Sequence, residues 1–158
     1  MISTNQPLKN SVNSSEKFAR DKQMRVVLDT NVWLSGLLWG GVPAQILQLI
    51  EQGQLEAIAS EEILTELRQT LDRPKLQKRL NQLGIATNAI MLAVGQIITI
   101  VSIEPIQIDN LRDPKDAIII AAAIAGEAEF IISGDQDLLV LEQISGILIQ
   151  SPREFIAR

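Results

Sequence analysis

Six carboxylates stand at places in this sequence where an acid needs a reason. Asp29 closes the apolar run Arg25-Val26-Val27-Leu28. Asp135 follows Phe130-Ile131-Ile132-Ser133-Gly134, with Asp137 two residues later. Asp113 and Asp116 open the segment DPKDAIIIAAA, and Glu66 lies inside EEILTELRQTL beside Ile63 and Leu67. Acids are seldom buried without a partner. The chain has no histidine and no cysteine. Imidazole bases, His-completed triads, thiolate sites and most zinc sites are therefore excluded. Acid–base or metal chemistry must rest mainly on carboxylates. Crowded carboxylates repel one another and raise their own pKa values. A divalent cation removes that conflict, and Mg²⁺ or Mn²⁺ prefers such oxygen ligands. Thr30, Asn31 and Ser133 add hydroxyl and amide groups able to hydrogen-bond the ligands or their waters.

Each acid but one also has a purely structural explanation. Asp113 before Pro114 suits a helix N-cap, and Asp116 then falls at the third helical position, where it can cap in return. Asp135 can cap a helix that has Asp137 in its first turn. Glu66 can be an ordinary exposed helix residue. Asp29 is harder to explain in this way, because an acid ending a core strand before Thr30 and Asn31 has no evident capping task.

The elements that would position these groups alternate. RVVLD reads as a first strand and TNVWLSGLLW as a helix broken at Gly40 and Gly41. PAQILQLIEQG reads as a helix, with Pro43 at its start and Gly53 at its end. LEAIAS is a short strand. EEILTELRQTL places Ile63, Leu64, Leu67 and Leu71 on one stripe, with Ser60 as N-cap and Glu61 and Glu62 at the positive helix start. Helices are expected over PKLQKRLNQLG and TNAIMLAVGQ, then a strand at IITIVSI and a helix over DPKDAIIIAAAIAGEA. EFIIS is a strand, DQDLLVLEQI a helix, GILIQS a last strand and PREFIAR a terminal helix. Short apolar strands alternating with helices predict a parallel sheet covered on both faces. In such sheets ligands bind beyond the carboxyl ends of the strands, where Asp29 and Asp135 would stand.

The 158 residues suit one domain, and 46% apolar composition supports a real core. Residues 1–23, rich in Asn, Ser, Lys and Gln, read as a disordered polar leader. Residues 24–158 read as the folded domain. No apolar run reaches the ~20 residues that cross a bilayer, and no signal-peptide core is present. A cytoplasmic protein with no membrane contact is the expectation. The net charge of −5 argues mildly against nucleic-acid binding. However, Arg68, Arg73, Lys75, Lys78 and Arg79 cluster, as do Arg112 and Lys115. They form either a solvated helix face or a phosphate-contacting rim on an acidic body.

Taken together, these stretches resemble PIN-domain nucleases over about Arg25 to Ala157, and most closely the VapC-like toxins of bacterial toxin–antitoxin pairs. VVLDTNVWLSGLL resembles the opening motif, with Asp29 as first acid. SEEILTELRQTLDRPKL resembles the second, with Glu66. RDPKDAIIIAAAIAGEAEFIISGDQDLLVL resembles the third and fourth, whose acids match Asp116 and Asp135. The leader has no counterpart, and Ser133 stands where many relatives carry Thr. The resemblance implies an α/β fold, a three-layer α/β/α sandwich around a mostly parallel sheet. It implies a Mg²⁺- or Mn²⁺-dependent endoribonuclease, with Asp29, Glu66, Asp116 and Asp135 as catalytic and metal-binding residues. Asp113 and Asp137 are extra acids available to the metal. Its implied partners are RNA, a cognate antitoxin protein and a second copy of the chain. Homodimerisation also fits the nearly all-apolar AIIIAAAIA and the cluster Trp33, Leu37, Leu38 and Trp39, although the same residues can bury within one chain.

Other classes fit less well. A haloacid-dehalogenase-like phosphatase using Asp29 needs a second Asp two residues on, and Asn31 is there. The DQD pair suits a Toprim-like domain, but its glutamate motif is not evident. A receiver-like domain lacks its partner Lys, and no GxxxxGK phosphate loop occurs. A PIN-fold scaffold without catalysis and a housekeeping RNA-processing nuclease are the remaining alternatives.

Overall fold

The computed structural model describes residues 23–104, 106 and 111–158. The leader expected over 1–23 lies outside the described residues except for Gln23, whose side-chain amide donates to the Gly53 carbonyl. The strands are β1 (Met24–Leu28), β2 (Leu55–Ser60), β3 (Ile98–Val101), β4 (Phe130–Ile132), β5 (Gln143–Ile144) and β6 (Ile147–Gln150). The helices are α1 (Thr30–Leu38), α2 (Gly41–Glu51), α3 (Glu61–Leu71), α4 (Pro74–Leu83), α5 (Thr87–Gln96), α6 (Pro114–Ala125), α7 (Gln136–Leu139) and α8 (Pro152–Ala157).

The sheet order is β3-β2-β1-β4-β6-β5, and every pairing is parallel except β5 with β6. β1 is central, with Val27 opposite Ile58 on one side and Ile131 on the other. Its side chains alternate between two cores. Val26 and Leu28 face Trp33, Leu67 and Phe155, while Val27 faces Ile120, Ile131 and Leu138. A strand buried on both faces must be apolar throughout, which is the pattern of a parallel sheet between helical layers. The chain builds β1, β2 and β3 in one direction, then returns to β4 on the other side of β1. A topological switch point therefore falls between β1 and β4, where open α/β sheets form their crevice.

Local signals start the helices around this crevice. Ser60 caps α3 by accepting from the Ile63 amide at 3.2 Å. Asp113 caps α6 by accepting from the Lys115 amide at 3.0 Å, and Pro114 takes the first helical position. Ser151 and Glu154 form a reciprocal capping box on α8. The α3 stripe holds, with Ile63, Leu67 and Leu71 buried. Gly126 at the end of α6 lets that helix lie close on the sheet. A Cβ there would stand 2.5 Å from Ile58 Cγ2.

One expected element is corrected. The helix read over DQDLLVLEQI stops after Gln136–Leu139. Gln143–Ile144 instead turns back as an edge strand on β6. Ser145 (φ 51°) and Gly146 (φ 80°) lie between the paired residues Ile144 and Ile147. Two successive positive φ values are what a two-residue hairpin needs to follow the sheet twist. Burial within the chain accounts for most of the apolar surface considered for dimerisation. Trp33, Leu38 and Ile119 to Ala123 are buried, and of that set Trp39 (52% exposed) and Ile124 (44%) keep large open faces. Among the described residues, no single helix is long and apolar enough to cross a membrane.

Candidate functional site

Asp29 leaves β1 at the switch point. Its amide donates to the Ile132 carbonyl at 3.0 Å, which ties the end of β1 to β4. It holds the N-cap position of α1, yet its side chain caps nothing. Instead Asp29 Oδ2 accepts from the buried Ser133 hydroxyl at 2.7 Å. The Ser133 oxygen in turn accepts from the Asp135 amide at 3.0 Å. One hydroxyl thus joins the acids that follow β1 and β4, and the Ser133 amide is itself anchored on the Gln150 carbonyl. Asp135 caps the short α7 by accepting from the Asp137 amide at 2.9 Å.

Asp116, in the first turn of α6, is 4% exposed, and its Oδ2 has no hydrogen-bond partner among the described residues. Carboxylate oxygens of Asp116, Asp135 and Asp137 lie within 4.8 Å of one another. Burial, followed by the charges of Asp135, Asp113, Asp29 and Asp137, pushes the Asp116 pKa up to about 7. The Asp29 pKa is also raised, first by burial and then by Glu66 and Asp135. The Ser133 hydrogen bond works in the opposite direction. A buried oxygen without a partner, facing other carboxylates, is a costly arrangement for a protein alone. It is also a set of oxygen donors that suits a hard divalent cation.

Glu66, on α3, is balanced differently. Thr30 donates to Glu66 Oε2 at 2.8 Å, and the Lys115 ammonium lies 3.6 Å from Oε1. Thr70, one turn further along α3, anchors the backbone by donating to the Glu66 carbonyl at 2.8 Å. Asp29, Thr30, Asn31, Glu66, Asp113, Asp116 and Asp135 line one open cleft of about 140 Å³, together with Thr70, Arg73 and Lys115.

The structure thus brings Asp29, Glu66, Asp116 and Asp135 to one cleft, but not into a single cage of four. The tight group is Asp116, Asp135 and Asp137, while Asp29 and Glu66 flank it on hydroxyl partners of their own. Asp113 lines the cleft with its carboxylate engaged at the α6 cap. Of the seven basic residues considered for RNA, Arg73 and Lys115 reach the cleft. Lys75, Lys78 and Arg112 are exposed. Arg68 donates to Asn88 at 2.9 Å. Arg79 donates to the Leu38 carbonyl at 2.9 Å and covers Trp39, with 5.6 Å to the ring centre. Thr70 escaped the sequence reading. Its spacing of four from Glu66 on one helix face was the available signal.

A sandwich with acids gathered beyond the carboxyl ends of a parallel sheet defines a class of α/β proteins whose site chemistry rests on carboxylates. The PIN domain family model matches residues 25–137, and the chain belongs to the PIN-domain family, a family of nucleases. A chain from the crystal structure of VapBC2 from Rickettsia felis, bound to a DNA fragment from its promoter, shares the fold. Its TM-score is 0.55 at 14% sequence identity, covering 81% of this chain and 98% of that one. No curated protein matches the sequence significantly.

Proposed function

We propose that this protein is a metal-dependent endoribonuclease and the toxin of a toxin–antitoxin pair. The observation that carries the metal reading is the buried, unpartnered Oδ2 of Asp116 beside Asp135 and Asp137. In this reading Asp116, Asp135 and Asp137 would hold Mg²⁺ or Mn²⁺, with Asp29 and Glu66 completing the polar surround and Asp113 at its edge. When bound, the ion supplies a water of lowered pKa and offsets charge on the phosphate and the leaving oxygen.

The chain's own groups do the remaining work. Ser133 holds Asp29 and the Asp135 backbone in fixed relation, so both acids keep their aim. Thr30 holds Glu66 in the same way. The exposed amide of Asn31 at the rim offers a hydrogen bond to a phosphate oxygen or a water. Arg73 and Lys115 bring positive charge to the cleft, and exposed Lys75, Lys78 and Arg112 extend it outward. Arg68 and Arg79 add charge, but their side chains are engaged within the chain. Single-stranded or looped RNA is the substrate class, because one strand enters a small open cleft more readily than a rigid duplex.

The antitoxin assignment is supported by the VapBC2 likeness: a cognate antitoxin protein is the inhibitor. A homodimer using the exposed apolar faces of Trp39 or Ile124 is the assembly. A cytoplasmic location completes this reading.

The test incubates purified protein with a looped RNA in Mn²⁺, in EDTA, and as the Asp116→Asn variant. Cleavage in Mn²⁺ alone, with loss of at least about 10³-fold in the variant, is the expected result. Losses of that order follow when one member of a catalytic unit is removed. Undiminished cleavage in EDTA or by Asp116→Asn overturns the metal reading. A folded wild type that binds RNA and never cuts it is a scaffold. Growth arrest on expression, relieved by a neighbouring open reading frame, separates a toxin from a housekeeping nuclease.

A further inference from the structure

The two positively charged side chains of the cleft are not equivalent. Lys115 belongs to the first turn of α6, and its backbone is fixed there because its amide donates to Asp113 Oδ1. Pro114 precedes it and Asp116 follows it in the same turn. From that fixed origin its side chain crosses to α3 and brings the ammonium 3.6 Å from Glu66 Oε1. The other Glu66 oxygen is taken by Thr30 at 2.8 Å. Glu66 therefore has a partner on each oxygen before any ion arrives, whereas Asp116 Oδ2 has none among the described residues. A second divalent ion at Glu66 would have to expel the ammonium or sit against its charge.

We propose that Lys115 is a built-in cation of this cleft, standing at Glu66 where a second divalent ion would otherwise bind. The site then takes one divalent ion, at the Asp116–Asp135–Asp137 corner. The second positive charge facing a substrate phosphate comes from the chain itself. The inference rests on the metal reading above. The Lys115 side chain is 52% exposed, its ammonium is 3.6 Å from Glu66 Oε1, and Thr30 still holds the other Glu66 oxygen, so the ammonium can turn from the carboxylate to a phosphate oxygen without leaving solvent. An ammonium on a flexible stem suits that exchange better than a rigid guanidinium fork.

The experiment counts ions on the metal-free full chain, by calorimetric titration with Mn²⁺ and by the resonance signal of unbound Mn²⁺. Wild type is expected to bind one ion. Lys115→Met, which keeps the length and removes the charge, is expected to bind two. Lys115→Arg, which keeps the charge, is expected to stay at one, and Asp116→Asn to lose the tight ion. Circular dichroism checks that each variant is folded. Two ions on wild type, or one on Lys115→Met, overturns the role of Lys115 while leaving the metal centre standing. No ion on wild type overturns both.

Discussion

At one end of the cleft Asp116 and Asp135 line the wall, carboxylate oxygens of these two and of Asp137 lie within 4.8 Å of one another, and Asp116 Oδ2 is buried without a partner among the described residues. At the other end Glu66 has both oxygens engaged, one by a hydroxyl and one by an ammonium. The same functional group is left in conflict in one place and settled in the other. An active site needs the first arrangement where it must attract a cation, since the repulsion stored there is relieved only by binding. It needs the second where a carboxylate must keep its position whether or not an ion is present. Asp29 stands between these cases, its pKa raised by burial and by neighbouring acids but opposed by the Ser133 hydroxyl.

That contrast can be broken at the link between the two strands. Ser133→Ala frees Asp29 and removes the acceptor for the Asp135 amide. Losing a partner of this kind typically costs 10–100-fold in metal affinity or activity. We expect a loss of that size in Mn²⁺ affinity. Ser133→Thr, which keeps the hydroxyl, should retain most of it. Titrations in which Ser133→Ala matches wild type would show that Asp29 is oriented by something else.

A smaller effect sharpens the comparison through pH. The Asp116 carboxyl is held above its ordinary 3.8, at about 7. The folded, metal-free protein therefore binds this proton more tightly than the unfolded chain does. Stability from this group is full only below about 3.8, where the carboxyl is protonated in both states, and falls as the pH rises to about 7, where the folded state ionises as well. Between about pH 5 and about pH 8, wild type should lose at least ~1 kcal/mol more stability than Asp116→Asn, as one pKa unit corresponds to ~1.4 kcal/mol. Denaturant melts of the two proteins in EDTA measure the difference, and saturating Mn²⁺ should abolish it. An equal pH dependence in both would mean that Asp116 carries no such strain.

The smallest expected effect concerns the outer lysines. Lys75→Gln with Lys78→Gln should lower the salt slope of RNA binding by roughly 0.7 for each phosphate that the protein no longer neutralises. Mn²⁺ stoichiometry should stay unchanged, since neither residue lines the cleft. The titration uses the Asp116→Asn background so that RNA is not consumed. Arg79 is left in place, because its guanidinium holds the Leu38 carbonyl and covers Trp39. Equal slopes would show the outer lysines to be solvated only.

Much of this was written locally. The apolar strands, the Ser60 and Asp113 caps, Pro114 and the α3 stripe are short-range signals, and each element formed near its expected place. The exception, after Leu139, shows the limit of periodicity. LLVLEQI satisfies a helical pattern, and positive φ values at Glu142, Ser145 and Gly146 end it and turn the chain back onto β6. The resemblance singled out Asp29, Glu66, Asp116 and Asp135, and the sheet's parallel order put them at one edge.

The sequence alone determined the residue types and the element order. With no histidine or cysteine, acid–base or metal chemistry had to rest mainly on carboxylates. Only the tertiary structure decided which acids come within reach of one another, because that depends on where α6 and α7 begin relative to the sheet. It drew Asp137 toward Asp116, laid Lys115 on Glu66 and gave Ser133 to Asp29, while Arg79 was turned inward to a helix end. Each of these pairings spans many residues. They are set by packing of helices on a twisted sheet, which no local pattern of charge or hydrophobicity encodes.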